Sequence, residues 1–175
     1  SLFKDREDKI IGIVAENRLE TYASILSALI CGKTYVILHP SYPKHRNDRI
    51  ADSAGIRLVL HTENIHVLNL DTRNLELICT SEIEQAENSA TFHAAEDILH
   101  TAEEENAYII FTSGSTGEPK GVPISRRNLN AFYTAYHRLG WQLDENDRML
   151  QMFELTFDVS IVSFLYPLTL GACIY

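Results

Sequence analysis

Short apolar runs alternate with segments of helical periodicity through the first third of the chain. Apolar runs at residues 10–15, 34–38 and 57–60 predict buried strands. Between them, apolar residues recur at helical spacing over residues 19–30, and residues 44–54 predict a second helix. A strand–helix–strand–helix–strand order predicts parallel pairing with right-handed crossovers.

Residues that favour helix ends and turns flank these two helices. Asn17 followed by Glu20 predicts a capping box at the start of the first helix. Gly32 and Gly55 are placed to end the two helices. The boundaries therefore agree with the apolar pattern.

The middle of the chain carries a weaker pattern. Residues 64–70 and 75–79 predict two short strands, and the acidic residues 81–106 predict a solvated surface segment. Apolar residues 108–111 then predict another buried strand.

The last third of the chain predicts two helices and two strand segments. Ser125 is placed to cap a helix that Gly140 ends. The predicted buried stripe of that helix is Leu129, Phe132, Tyr133, Tyr136 and Leu139. Residues 148–152 and 172–175 predict strands, and residues 157–170 predict a buried helix that Pro167 bends or ends. We expect an α/β fold, with a mainly parallel sheet flanked by helices.

Composition excludes several classes of protein. The 175 residues suffice for one domain with a core, and 24 acidic against 15 basic residues give a formal charge of −9. No basic stripe is present, which argues against nucleic-acid binding, and no apolar run has membrane-spanning length. The three cysteines, in apolar surroundings and without a Cys-x-x-Cys pair, predict buried free thiols and a cytoplasmic location.

A loop rich in glycine and hydroxyl groups follows the predicted strand at residues 108–111. Its candidate phosphate-binding residues are Thr112, Ser113, Gly114, Ser115, Thr116, Gly117 and Lys120. Glycine lets backbone N–H groups form a concave anion nest, while hydroxyls and an ammonium group add donors for phosphate. A polar turn is the alternative, but it explains neither the length nor the order of the loop. The lysine stands between Pro119 and Gly121, so the loop is not a Walker motif.

The segment of residues 108–121 resembles the phosphate loop of adenylate-forming enzymes. It has that family's strand followed by Thr-Ser-Gly-Ser-Thr-Gly, one free position and Pro-Lys-Gly. The resemblance implies that the loop holds the β- and γ-phosphates of ATP, and that Lys120 offsets charge on departing pyrophosphate or steadies the loop. It also implies that Mg²⁺ accompanies ATP.

Residues 28–46 resemble a second landmark of the same family, in which a helix end, a glycine, a strand and a proline turn follow in order. His39 stands where many members have an acidic residue. We interpret this segment as scaffold.

Residues 157–160 (FDVS) resemble a motif of the amino-acid adenylation domains in nonribosomal peptide synthetases and of D-alanine:carrier-protein ligases. By this resemblance Asp158 holds the α-ammonium group of an amino-acid substrate, and Val159 and Val162 line the pocket for its side chain. A helix N-cap is the alternative role for Asp158. Glu154 lies near the same helix start and is expected to face solvent. His61, Glu63 and His66 lack the spacing of a metal site, so they predict a surface turn and no metal ligand.

The resemblance covers residues 10–175, which is only part of the family's length. We therefore expect residues 1–175 to be a piece of the large N-terminal domain, without the small C-terminal domain, and to be inactive alone. The parent would form an aminoacyl adenylate and pass the acyl group to a phosphopantetheine thiol, usually on a carrier protein. The alternatives are an acyl-CoA or aryl acid ligase, which FDVS disfavours, and a nucleotide-binding module without chemistry.

Overall fold

A computed structural model describes residue 3 and residues 6–62, 69–83, 102–113, 117–140 and 143–175. Its main sheet has the strand order β4-β3-β1-β2-β5-β6, and a second sheet pairs β7 with β8. The strands are β1 (Ile10–Val14), β2 (Thr34–Leu38), β3 (Leu58–His61), β4 (Glu76–Cys79), β5 (Asn106–Ser113), β6 (Pro119–Ser125), β7 (Arg148–Met149) and β8 (Cys173–Ile174). Pairing is parallel throughout except between β5 and β6, which form an antiparallel hairpin.

Helices cover both faces of the main sheet. They are α1 (Leu19–Ile30), α2 (Lys44–Ala54), α3 (Arg126–His137) and α4 (Tyr166–Thr169), and a π-helical segment, Ile161–Leu165, leads directly into α4. One buried cluster joins the sheet to α1, α3 and the π-helical segment, and a second joins it to α2. Strands β1 and β2 are almost entirely buried and mostly apolar, as expected for strands that are covered on both faces. The predicted α/β fold with a mainly parallel sheet is confirmed.

Several predicted elements occur where the sequence placed them. Strand β2 and helices α1 and α2 have the predicted bounds, and Gly55 ends α2 in the left-handed conformation at φ +68°. Ser125 caps α3 through a capping box with Asn128. Among the described residues, no helix has both the length and the apolar character needed to cross a membrane.

The capping box predicted at α1 is wrong. The N-cap residue is Arg18, whose backbone is extended and whose side chain makes no capping hydrogen bond. The buried face of α1, which includes Ile25 and Ala28, packs on the sheet and fixes the helix. Packing of an apolar face contributes more to a helix in a protein than its intrinsic propensity does.

The single buried helix predicted at residues 157–170 is also wrong. Residues 157–160 form a turn, and the π-helical segment precedes α4. Pro167 lies at the start of α4. In a continuous α-helix its ring would clash with the carbonyl four residues earlier, at Ser163, and a π-helical turn changes that spacing.

Three smaller predictions are also corrected. Leu139 is 64% exposed because α3 ends at His137, and Cys173 is exposed rather than buried. His61 ends β3 and is buried, rather than lying in a surface turn, and burial lowers the pKa of its imidazole. The predicted strand at residues 64–70 lies outside the described residues except for 69 and 70, which are not in a strand, and the predicted surface segment lies outside them between 84 and 101.

Candidate functional site

The candidate phosphate loop connects the two strands of the β5–β6 hairpin. Thr112 pairs with Lys120, and Ser113 pairs with Pro119, so β5 extends two residues beyond its predicted end and an unpredicted strand, β6, follows the loop. Lys120 therefore lies in β6 and not in a loop. The sequence did not predict β6 because it contains Pro119 and Pro123, which sheets accept mainly in edge strands. The other candidate residues between the strands, Gly114, Ser115 and Thr116, lie outside the described residues.

Alternation along β5 assigns its side chains to two faces. Tyr108, Ile110 and Thr112 share one face because residues at i, i+2 and i+4 of a strand point the same way. Lys120 lies directly opposite Thr112 and so shares that face. The Thr112 hydroxyl donates a long hydrogen bond, 3.5 Å, to the Lys120 carbonyl. This face carries the hydroxyl and the ammonium group that the sequence assigned to phosphate.

The Lys120 side chain is exposed, and within the described part of the chain no acidic group pairs with it. Its nearest acidic neighbour along the chain, Glu118, instead pairs with Arg49 of α2 at 3.3 Å. The ammonium group is therefore exposed to solvent.

Two glycines of the motif have different structural roles. Gly117 has φ +80°, a conformation that side chains disfavour. Gly121 lies on the other face of the hairpin, opposite Phe111, and a Cβ there would lie 3.0 Å from both Phe111 Cζ and Ile109 Cγ2. Gly121 therefore allows the Phe111 ring to pack across β6, a role that the sequence pattern did not show.

Asp158 is exposed in the turn that precedes the π-helical segment. Burial raises the pKa of the Tyr108 phenol to about 12, and the negative charge of Asp158 contributes to that shift. The π-helical segment that follows Asp158 packs in the same buried cluster as Tyr108, and so on the face of β5 that also carries Thr112 and Lys120.

The alternative role of Asp158 as a helix cap is not realised. The N-cap of the π-helical segment is Ser160, which makes no side-chain capping bond. The Asp158 carbonyl accepts a hydrogen bond from Ile161 N at 3.0 Å, and within the described residues its carboxylate has no hydrogen-bond partner. Val159 is 38% exposed and Val162 is half-buried.

A cleft of about 350 Å³ lies next to the segment that leads into the Asp158 turn. It is lined by Ala15, Glu16, Asn17, Tyr22, His39 and residues 151–155. Glu16 and His39 follow β1 and β2, so the cleft opens at the carboxyl edge of the parallel strands. Open parallel sheets bind ligands at this edge.

Sequence analysis missed a contact between two polar side chains in this cleft. Nε2 of His39 lies 2.9 Å from Oε2 of Glu154, although the sequence assigned His39 to scaffold and Glu154 to solvent. The two residues are 115 positions apart in the chain, and no local pattern links them. No group of three or more potential metal-ligating side chains occurs among the described residues.

The sequence profile of AMP-binding enzymes matches residues 4–175. The chain belongs to the AMP-binding enzyme family. The resemblance that the phosphate loop indicated is thereby confirmed.

Similar members of this family are large synthetases. Isonitrile lipopeptide synthase of Streptomyces coeruleorubidus is 34% identical over 164 residues, which are 93% of this chain and 11% of that protein. Bacitracin synthase 3 of Bacillus licheniformis is 30% identical over 169 residues, which are 95% of this chain and 2% of that protein. The chain thus spans about a tenth or less of the length of these relatives.

Solved structures of the nonribosomal peptide synthetase FmoA3 share the fold. Its AMPPNP-bound form has a TM-score of 0.78 and 26% sequence identity, over 97% of this chain and 17% of that chain. The form with bound alpha-methyl-L-serine-AMP gives the same score and identity, over 97% of this chain and 18% of that one.

Proposed function

We propose that this chain is part of the N-terminal domain of an enzyme that activates an amino acid with ATP. In this reaction a carboxylate oxygen of the amino acid attacks the α-phosphorus of ATP. The bond from that phosphorus to the bridging oxygen breaks, and pyrophosphate leaves. The aminoacyl adenylate then passes its acyl group to a phosphopantetheine thiol, which a carrier protein presents. Similarity to synthetases with bound AMPPNP and aminoacyl-AMP supports the first step.

The hairpin would bind the β- and γ-phosphates. The exposed Thr112 and Ser113 end β5, Gly114, Ser115, Thr116 and Gly117 follow them, and Lys120 opposes Thr112. The unpaired ammonium group of Lys120 would offset charge on the departing pyrophosphate, and Mg²⁺ would neutralise further phosphate charge. Hydrogen bonds to charged groups contribute about 1.5–3 kcal/mol each.

One observation carries the amino-acid assignment: the Asp158 carboxylate, without a hydrogen-bond partner in the described part of the chain, precedes a π-helical segment that packs on the face of β5 carrying Thr112 and Lys120. Tyr108 is four residues before Thr112 in β5, so the two residues are about 13 Å apart at the usual strand rise. A substrate between them would direct its ammonium group to Asp158 and its carboxylate towards the phosphates. Pairing is required because an isolated buried ammonium group is costly.

The residues that follow Asp158 bear on the substrate side chain. Val159 and Val162 are small and apolar, which favours a small or apolar amino acid. Neither supplies a hydrogen bond that would select a polar side chain.

Amino-acid-dependent exchange of pyrophosphate into ATP tests this proposal, measured on the full reading frame that contains this sequence. We expect Asp158→Ala to raise the activation free energy that corresponds to kcat/KM for the amino acid by about 3–5 kcal/mol, the usual cost of removing one partner of an ion pair that bound substrate would bury. Asp158→Asn should lose most of the same energy, because the amide keeps the shape and lacks the charge. Glu7→Ala, which removes an exposed carboxylate before β1, is the control and should leave exchange unchanged.

Other outcomes would identify the alternatives. Exchange that depends on fatty or aryl acids and is indifferent to Asp158→Ala would indicate an acyl-CoA or aryl acid ligase. ATP binding without exchange across a panel of amino, fatty and aryl acids would indicate a nucleotide-binding module without chemistry.

We also expect no adenylate from the 175-residue chain alone. The region that matches this chain makes up only 17–18% of each of those solved synthetase chains. Turnover by the isolated chain would contradict its assignment as part of a domain.

A further inference from the structure

We propose that His39 is a positioning residue that acts through Glu154 to fix the turn carrying Asp158. The inference rests on the proposed function only in the role of Asp158 as the amine-binding group. The contact itself depends on the fold and can be measured independently.

His39 is held from several sides at the end of β2. Its Nδ1 accepts hydrogen bonds from Ser41 N at 3.2 Å and from Ser41 Oγ at 2.7 Å. Its carbonyl accepts from Tyr42 N and from Asn47 Nδ2, both at 3.0 Å. The ring also packs against Tyr42, with 5.1 Å between ring centroids, and Asn47 is fully buried. These contacts therefore hold His39 in one position at the end of β2.

These contacts also determine which nitrogen carries the imidazole proton. A backbone N–H can only donate, so Nδ1 must act as the acceptor for Ser41 N. In the neutral ring the proton is then on Nε2, which lies 2.9 Å from Oε2 of Glu154. The ring donates to the carboxylate in the neutral form and in the protonated form alike.

The segment around Glu154 is otherwise held at both ends. The Gln151 side chain donates to the Phe153 carbonyl at 2.7 Å and accepts from the Ser163 hydroxyl of the π-helical segment. At the other end, Leu155 is buried in the core beneath the sheet face. Between these anchors, the His39 contact ties the exposed Glu154 side chain to the sheet.

Glu154 is connected to Asp158 through consecutive turn hydrogen bonds. The Glu154 carbonyl accepts from Phe157 N at 3.0 Å. The Phe157 carbonyl in turn accepts from Ser160 N at 3.1 Å and from Ser160 Oγ at 2.6 Å, and Asp158 lies inside this turn. Because β2 pairs with β5, His39 positions the turn relative to the strand that carries Thr112. The pair thus sets the position of the amine-binding group relative to the phosphate-binding hairpin.

Four variants separate the contact from general packing. His39→Phe keeps a ring against Tyr42 and removes both nitrogens, and Glu154→Ala removes the carboxylate. His39→Gln keeps a donor near the position of Nε2, and Glu154→Gln keeps an acceptor, so these two should restore function. Loss of a half-exposed contact such as that between His39 and Glu154 should change the equilibrium for amino-acid binding by up to about fivefold.

The first measurement is amino-acid-dependent pyrophosphate exchange by the full reading frame. We expect His39→Phe and Glu154→Ala each to raise KM for the amino acid about three- to fivefold, with KM for ATP and kcat changed less than twofold. The double variant should be no worse than either single one. Additive losses, or equal losses in KM for ATP, would overturn the positioning role.

The second measurement does not depend on activity. In ¹⁵N-labelled 175-residue chain, His39→Phe and Glu154→Ala should shift the same backbone amide resonances over residues 154–160, and His39→Gln should return them towards their original positions. If the unsubstituted protein shows no pyrophosphate exchange, the proposed function fails, but the resonance shifts still test whether His39 and Glu154 hold the turn. Unchanged amide resonances in both variants would overturn the inference.

Discussion

The centre of the parallel sheet and the β5–β6 hairpin differ in how they use their residues. Strands β1 and β2 are buried on both faces, with Ile11, Val36 and Leu38 fully inaccessible to solvent. Thr112, Ser113 and Lys120 of the hairpin are exposed, as is Asp158 beside it. Apolar burial stabilises the first region, while the second presents donors and charges to solvent.

This contrast indicates that one region of the fold supplies stability and the other supplies exposed polar groups. The buried strands define where their own carboxyl ends lie, and polar groups follow those ends at Glu16, His39 and Thr62. The exposed side chains of the hairpin make few contacts within the described residues, so substitutions there should alter the proposed ligand binding more than stability. Four experiments test this separation, and they follow in order of decreasing expected effect.

Removal of a core ring should give the largest loss of stability. Phe164 is 1% exposed and packs edge-on against Tyr22, with 5.6 Å between ring centroids. We expect Phe164→Ala to lower the free energy of unfolding by about 3–5 kcal/mol in urea titrations. Leu139→Ala, at a position that is 64% exposed, should change it by less than about 0.5 kcal/mol. Equal losses would mean that Leu139 belongs to the core after all.

Removal of the Lys120 ammonium group should lower activity and leave stability unchanged. We expect Lys120→Ala to raise the activation free energy that corresponds to kcat/KM for ATP in pyrophosphate exchange by about 1.5–3 kcal/mol, since a charge-assisted contact to phosphate is lost. Urea unfolding of the 175-residue chain should be unchanged, because within the described residues the side chain has no ion-pair partner. Lys9→Ala, at an exposed lysine before β1, should change neither quantity. A loss of stability in Lys120→Ala would assign the residue to the scaffold.

A methyl group at Gly121 should destabilise the hairpin without touching its ligand-binding face. The added Cβ would lie 3.0 Å from Phe111 Cζ, so we expect Gly121→Ala to cost about 1–3 kcal/mol in unfolding experiments. Phe111→Leu in the same chain should recover part of this loss by making room. If Gly121→Ala instead weakens ATP binding and leaves stability unchanged, this glycine serves the phosphate site and not the packing of Phe111.

Capping residues should give the smallest effect and test the two helix starts directly. Ser125 accepts a hydrogen bond from Asn128 N at 3.1 Å, and we expect Ser125→Ala to cost about 1 kcal/mol of stability. Asn17→Ala should cost almost nothing, because α1 is preceded by Arg18 and uses no side-chain cap. Equal costs in thermal unfolding would restore the capping box that the sequence predicted at Asn17.

The two regions also differ in how far they could be predicted. Helix α2 and strand β2 have their predicted bounds because local signals and apolar burial agree there. Strand β6 was not predicted because its prolines and Gly121 disfavour a strand, and pairing with β5 overrides that preference. The π-helical segment was missed for a similar reason, since the apolar pattern does not distinguish it from an α-helix.

The sequence by itself determined the alternation of strands and helices, the phosphate-loop motif, the family and the identity of Asp158 as a candidate. Each of these depends on neighbouring residues, whose periodicity and order can be read locally. Tertiary structure alone decided that Lys120 lies opposite Thr112, that the π-helical segment after Asp158 packs in the cluster of Tyr108, and that His39 contacts Glu154. Those contacts join residues far apart in the chain, and packing of helices and turns on the sheet brings them together.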